Sequence, residues 1–190
     1  MIKNIFKHLS LINKHKWLVF KLSVKAGIPW QGLVHDLSKY SPTEFIESIK
    51  YYNGKRSPIS ISKQENGYSK AWLHHKGRNK HHFEYWYDFN TPDKTPVIPY
   101  KYTVEMICDT IAAGMSYMKE DWTPKAQGDY FEKRKDLEYI NDDIKKILRD
   151  VYKQLEEKGI DKTINKKNLK ETYDKYVNKK DKKNNKRKDK

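Results

Sequence analysis

The residues of this sequence that are best suited to chemistry are its histidines, all seven of which lie between positions 8 and 82. Five of them fall into two short segments, 35–36 and 74–82, and the first of these pairs a histidine with an aspartate. Imidazole and carboxylate together are a common ligand set for Zn, Mn and Fe. We therefore predict one or two divalent metal ions (Mn, Fe, Co or Zn). The candidate ligands are His15, His35, Asp36, His75, His81, His82 and Asp109.

His15 lies on the apolar face of a predicted helix. Leu11 precedes it by four residues, and Leu18 and Leu22 follow at three and seven residues, which places all four on one face. A buried imidazole needs a hydrogen-bond partner or a metal ion. His15 taken alone also fits a hydrogen-bonded core histidine.

Asp109 lies in the middle of another predicted helix, where aspartate has a poor helix propensity. The small residues 112–114 follow one turn later and leave room for a site or for a closely packed helix. An exposed acid on a polar helix face is the alternative interpretation.

The segment 74–82 raises a question of geometry. On one continuous helix, residues 75 and 82 would lie about 10 Å apart, which suits a site with two metal ions better than one. A break at residues 77–79 would relax this constraint. His81 and His82 would point about 100° apart if helical, so we expect one of them to be a ligand. Arg78 is a candidate phosphate contact, although a surface arginine fits equally well.

Helical periodicity dominates the sequence, and no stretch alternates cleanly enough to predict a β-sheet. Ser41-Pro42-Thr43-Glu44 predicts a helix start in which Ser41 is the N-cap and Glu44 closes a capping box. Residues 53–67 read as a loop. The sequence thus predicts an all-α helical bundle. The expected helices cover about 3–26, 42–52, 68–76, 103–119, a start at 124, and 137–159.

The 190 residues suit one domain, 1–160, followed by a Lys-rich, low-complexity tail, 161–190. The tail has thirteen basic and five acidic residues and so carries +8 of the net charge of +15. A solvated, disordered tail with weak non-specific attraction to nucleic acid is expected. The longest apolar run, residues 17–20, predicts neither a membrane span nor a signal peptide. The single cysteine, Cys108, favours a cytoplasmic location.

The order of the candidate ligands, H…HD…H…H…D, resembles that of the HD-domain superfamily of metal-dependent phosphohydrolases over about residues 10–120. The segment 35–39 is similar to the HD-x-G-K segment of that family, with Ser38 in place of glycine. Residues 30–42 and 71–86 also resemble a family of small bacterial and phage HD-like proteins. The resemblance implies an HD-domain-like bundle in which Asp36 bridges two metal ions and Lys39 contacts a substrate phosphate. It further implies that His15, His35 and Asp109 complete one ion, and that His75 with His81 or His82 holds the other.

The function that this resemblance implies is hydrolysis of a small phosphorylated substrate, such as a nucleotide or other phosphoester, by a metal-activated water. The expected catalytic residues are Asp36, Lys39 and Arg78. Two alternatives remain open at this point. One is a di-iron oxygenase of the HD type that uses the same ligands. The other is a helical protein that binds nucleic acid or a protein partner, mainly through its tail.

Overall fold

The structure is a computed structural model that describes residues 2–54 and 56–177. Within these ranges it contains helices, turns and loops and no β-strand, which confirms the predicted all-α bundle. None of the described helices is both long and apolar enough to span a membrane. The α-helices are α1 (Ile2–Lys25), α2 (Pro29–Val34), α3 (Pro42–Lys50), α4 (Pro58–Asn66), α5 (Lys70–Arg78), α6 (Tyr100–Met118), α7 (Pro124–Glu132), α8 (Asp142–Thr163) and α9 (Lys166–Val177).

Prolines begin four of these helices, α2, α3, α4 and α7. Proline is favoured at the first helical position because its fixed φ suits a helix and its missing N–H would have no intrahelical partner there. Ser41 caps α3 as predicted, because its hydroxyl accepts a hydrogen bond from the Glu44 N–H at 3.4 Å. The predicted capping box is wrong, however. The Ser41 N–H donates to the Ser38 carbonyl at 2.9 Å, and the Glu44 carboxylate turns towards α5.

Two predicted boundaries differ from the structure. Residues 58–66 form α4. The sequence there reads as a loop because the helix buries a serine in place of an apolar stripe. The Ser62 hydroxyl donates to Glu47 Oε1 of α3 at 2.9 Å. The helix expected to begin at 137 begins at Asp142, where Asn141 caps it, and residues 137–139 form a 3₁₀ turn. Its expected end is close to Gly159, where the backbone leaves the helical region.

The central helix of the bundle is α6, which packs against α1, α2, α7 and α9. Val104, Ile107 and Ile111, which are spaced three and four residues apart, are almost completely buried along it. Burial of such aliphatic side chains contributes about 1.5–3 kcal/mol each. Because α6 also packs along α1, His15 and Asp109 come to face each other.

The C-terminal region is more folded than the sequence suggests. The first part of the predicted tail, residues 161–177, completes α8 and forms α9. Leu169 and Tyr173 of α9 are 1% and 8% exposed, and the Tyr173 hydroxyl donates to the Ile98 carbonyl at 2.8 Å. Composition alone does not predict this helix, because it is rich in lysine and its buried residues are few and widely spaced. The remainder of the predicted tail, residues 178–190, lies outside the described residues.

Candidate metal centre

The link between α2 and the next 3₁₀ turn, Leu37–Tyr40, places His35 and Asp36 at the centre of the bundle. Both residues are 1% exposed. Asp36 has a φ of 53° and a ψ of 29°, the left-handed region that few residues other than glycine adopt. Gly32 lets α2 lie close to α1, since a Cβ there would come within 2.5 Å of the Ser23 Cβ. Backbone strain such as that at Asp36 often accompanies a functional site.

A first group of potential ligand atoms joins α1, the Asp36 link and α6. It consists of one atom each from His15, His35, Asp36 and Asp109, and these atoms lie within 4.8 Å of one another. His15 Nε2 lies 3.0 Å from Asp109 Oδ1. His35 Nε2 lies 3.3 Å from Asp36 Oδ2 and 3.5 Å from Asp109 Oδ1. Two imidazoles and two carboxylates thus surround one small volume.

A second group combines Asp36 with the segment after α5. It consists of Asp36, His75, His81 and His82, again within 4.8 Å of one another. Asp36 Oδ1 lies 3.3 Å from His75 Nε2 and 3.5 Å from His81 Nε2. The two oxygens of Asp36 therefore face different groups, which is the arrangement of a carboxylate that bridges two ions.

The end of α5 explains how one group can include both His81 and His82. The helix stops at Arg78, and Asn79 adopts an extended conformation as its C-cap. The following turn is closed by the His82 N–H, which donates to the Asn79 carbonyl at 3.1 Å. Since neither histidine is on the helix, the angle of 100° expected between them does not apply. The structure brings both into ligand distance.

Several buried ligand atoms in the two groups make no hydrogen bond within the described residues. They are His15 Nε2, His35 Nε2, His81 Nε2, His82 Nε2 and Asp36 Oδ1. Buried polar atoms nearly always have a partner, so five orphaned atoms in one place call for an explanation. Imidazole nitrogens and carboxylate oxygens are the donor set of Zn, Mn, Fe and Co. The residues present thus fit one or two divalent ions.

A buried carboxylate that the sequence analysis missed holds two of the imidazoles. Glu105 is 4% exposed, and its Oε1 lies 3.1 Å from Nδ1 of both His35 and His81. Its other oxygen accepts from the Gln31 side chain at 2.8 Å. Carboxylates in this position fix the tautomer and the orientation of ligand histidines. The sequence signal that could have identified Glu105 is its position one turn before Asp109, which puts both acids on one face of α6.

Glu44 holds the third imidazole in the same way. Its Oε2 lies 2.8 Å from His75 Nδ1, which leaves His75 Nε2 directed at Asp36. Its Oε1 lies 2.6 Å from His74 Nδ1. His74 belongs to neither ligand group.

The protonation of the site follows from these contacts. Burial disfavours the charged carboxylate of Asp36, but His35 and Lys39 outweigh it and hold the pKa of Asp36 well below its usual range. For Asp109, the neighbouring imidazoles of His15 and His35 outweigh burial and lower its pKa in the same way. The pKa of Glu105 falls to about 2, because His35 and His81 outweigh its burial. Burial lowers the pKa of His15, whereas Asp36 and Asp109 outweigh burial and raise the pKa of His35.

The two cationic residues expected at the site have different positions. Lys39 Nζ lies 2.6 Å from Asp36 Oδ2, and its side chain lines a cavity beside the cluster. Asp36 and Asp109 outweigh burial and raise its pKa, so the ammonium is charged. Arg78 is exposed at the end of α5 and lines neither cavity described below. The structure does not bring Arg78 to the cluster, because α5 directs its last residue to solvent.

Two cavities reach the ligand groups. The narrow cavity, of about 190 Å³, lies between α1, α3, α5 and α6 and includes Asp36, Lys39 and His75 in its wall. The wide cavity, of about 600 Å³, lies on the side of α7 and includes His81 and Arg134. His82 and Asp109 border both. The cluster is therefore accessible to small molecules from two sides.

The fold and the site define an all-α protein with a buried histidine–carboxylate cluster. The chain belongs to a protein family of unknown function, DUF5662, whose sequence profile matches residues 4–154. That match contains every residue of both ligand groups, and α9 lies beyond it. No curated protein and no solved structure matches the chain.

Proposed function

We propose that this protein is a metal-dependent phosphohydrolase that holds two divalent ions through a shared Asp36. The five orphaned, buried ligand atoms carry the proposal, since bound cations would satisfy all of them. His15, His35 and Asp109 would hold one ion with Asp36, and His75, His81 and His82 the other. The order of these ligands along the chain, which resembles that of HD-domain phosphohydrolases, favours the same conclusion. Bound ions would supply Lewis acidity and a water of lowered pKa.

The chain's own residues favour a phosphorylated substrate. The Lys39 ammonium lines the narrow cavity beside Asp36 and would attract an anionic group to the cluster. Glu105 and Glu44 hold the imidazole rings in place before any substrate arrives.

The buried, thiol-bearing Cys108 is consistent with the cytoplasmic location expected from the sequence.

The test begins with elemental analysis of protein purified without chelator. The protein is then incubated with Mn, Fe, Co or Zn and with phosphomonoesters, phosphodiesters, nucleotides and dinucleoside polyphosphates. We expect turnover that is lost in His35→Ala and Asp36→Asn. Asp150→Asn is the matched control, because Asp150 pairs with Lys175 between α8 and α9, away from the cluster.

Four outcomes would contradict the proposal. Absence of turnover with every metal would do so, as would turnover that survives loss of Asp36. Substrate-dependent oxygen uptake by iron-loaded protein would favour the di-iron oxygenase. Metal-free protein that retains nucleic acid at high salt would favour the binding protein.

A further inference from the structure

The narrow cavity has a second polar end, away from the ligand groups. Two residues there, His8 of α1 and Ser116 of α6, line the cavity and are each 6% exposed. His8 Nδ1 and Ser116 Oγ are both buried and make no hydrogen bond within ranges 2–54 and 56–177. Neither atom belongs to a residue that is expected to bind a metal ion.

His8 is held in a defined position by aromatic rings. Its ring centroid lies 5.9 Å from that of Phe45 and 5.4 Å from that of Tyr52. Burial, with a smaller contribution from the Lys39 ammonium, lowers the pKa of His8 to about 4. At neutral pH the side chain is therefore an uncharged imidazole, which both donates and accepts hydrogen bonds.

Ser116 differs from Thr110 of the same helix. Hydroxyl side chains within helices commonly donate to the carbonyl one turn earlier. Thr110 does so, with its Oγ1 3.0 Å from the Met106 carbonyl. The Ser116 hydroxyl makes no such bond, which leaves it available to a molecule in the cavity.

The positions of the two residues along their helices give the length of the cavity. His8 precedes His15 by seven residues on α1, and Ser116 follows Asp109 by seven residues on α6. Seven residues correspond to two helical turns, or about 10 Å. Since both pairs line one cavity, its polar end lies about 10 Å from the first ligand group.

We propose that His8 and Ser116 form a subsite that binds a neutral hydroxyl group at the far end of a short phosphorylated substrate, an inference that rests on the proposed phosphohydrolase function. The phosphoryl group lies at the ligand groups, and the hydroxyl hydrogen-bonds with the imidazole and the serine. Lys39 is the sole lysine or arginine among the described residues that line this cavity, and Asp36 already pairs with it. A second phosphate at the far end would find no further lysine or arginine among the described residues of the cavity wall. The cavity thus selects a substrate with one anionic end and one neutral polar end, such as a short-chain polyol phosphate.

The test uses phosphonates, which bind but are not hydrolysed. Metal-loaded protein is titrated in a calorimeter with ω-hydroxyalkylphosphonates of two to five carbons and with alkylphosphonates of matched length, in which a methyl group replaces the hydroxyl. Methylphosphonate measures binding at the cluster alone. At about tenfold per hydrogen bond, we expect the terminal hydroxyl to improve affinity by roughly 10- to 100-fold at the length that spans the cavity.

Variants assign this preference to the two residues. His8→Phe with Ser116→Ala should abolish the preference while metal content and methylphosphonate affinity stay unchanged. His8→Gln keeps a hydrogen-bonding group and should retain part of it. Ser23→Ala removes another buried serine hydroxyl, outside this cavity, and should retain all of it.

The outcomes separate the two proposals. Methylphosphonate binding without a hydroxyl preference, or with one that survives the double variant, overturns the subsite alone. A hydroxyl preference without hydrolysis of any phosphate ester overturns the phosphohydrolase function alone. Failure of every phosphonate to bind metal-loaded protein overturns the subsite, and together with absence of turnover it overturns both proposals.

Discussion

Glu105→Gln should weaken metal binding while the fold is preserved. Glutamine has the size of glutamate, so the packing of α6 is kept, and the Gln31 amide can rotate to bond with the new amide. What changes is the charge on the oxygen that accepts from His35 and His81 at 3.1 Å each. The two imidazoles become poorer ligands, because a charged acceptor makes them more basic than a neutral one does.

The magnitude follows from the two hydrogen bonds. A hydrogen bond to a charged group contributes about 1.5–3 kcal/mol and a neutral one about 0.5–1.5 kcal/mol. Replacing two charged contacts with neutral ones therefore costs about 2 kcal/mol, or roughly 30-fold in affinity at 1.4 kcal/mol per factor of ten. Substitutions behind metal ligands commonly cost about 10–100-fold, which agrees with this value.

The assay is competition for Zn or Mn between the protein and a chromogenic chelator at constant pH. Glu47→Gln is the matched control, because Glu47 also accepts several hydrogen bonds, from Ser62, Ser69 and the Ala71 N–H, and belongs to neither ligand group. It should leave the affinity unchanged and lower only the stability of the α3–α5 region. A Glu105→Gln protein that is folded and binds metal as tightly as wild type would refute the positioning role of Glu105.

Three further predictions concern the ligands, the close helix approach and the C-terminal helix. Asp109→Asn should retain one equivalent of metal by elemental analysis and Asp36→Asn none, since only Asp36 belongs to both groups; equal metal content in both would contradict the shared ligand. Gly32→Ala should lower the free energy of unfolding by about 1–3 kcal/mol in urea denaturation, because its Cβ would overlap Ser23. By contrast, the Cβ added by Gly77→Ala would meet no atom within 4 Å. That substitution should raise the free energy of unfolding by about 0.5–1 kcal/mol. Leu169→Ala should cost about 2–5 kcal/mol in the same measurement if α9 is part of the core; an unchanged unfolding midpoint would place α9 outside the cooperative unit.

The sequence contained the identity of the clustered residues because ligand chemistry depends on residue type. His15 is on the buried face of α1, as its spacing from Leu22 predicts. Asp36 belongs to both groups, which agrees with the bridging position that the resemblance implied. Their role in binding metal stays a prediction.

The sequence did not reveal the residues that hold the ligands. Glu44 looked like the end of a capping box, since Ser-x-x-Glu fits that motif equally well when the carboxylate points elsewhere. Arg78 looked like a phosphate contact because its type was suitable, yet its direction depends on where α5 ends. For α4, buried hydrogen bonds such as that of Ser62 replace the apolar periodicity on which a sequence-based prediction relies.

The sequence by itself determined the all-α class, the start of α3 and the candidate ligands, because helix propensity, capping and ligand chemistry are properties of residues close together in the chain. Only the tertiary structure decided that α1, α5 and α6 converge on Asp36, that Glu105 joins two imidazoles, and that His8 and Ser116 share a cavity. These contacts link residues far apart in the chain. They depend on helix packing angles and on where each helix ends, and no local pattern encodes either.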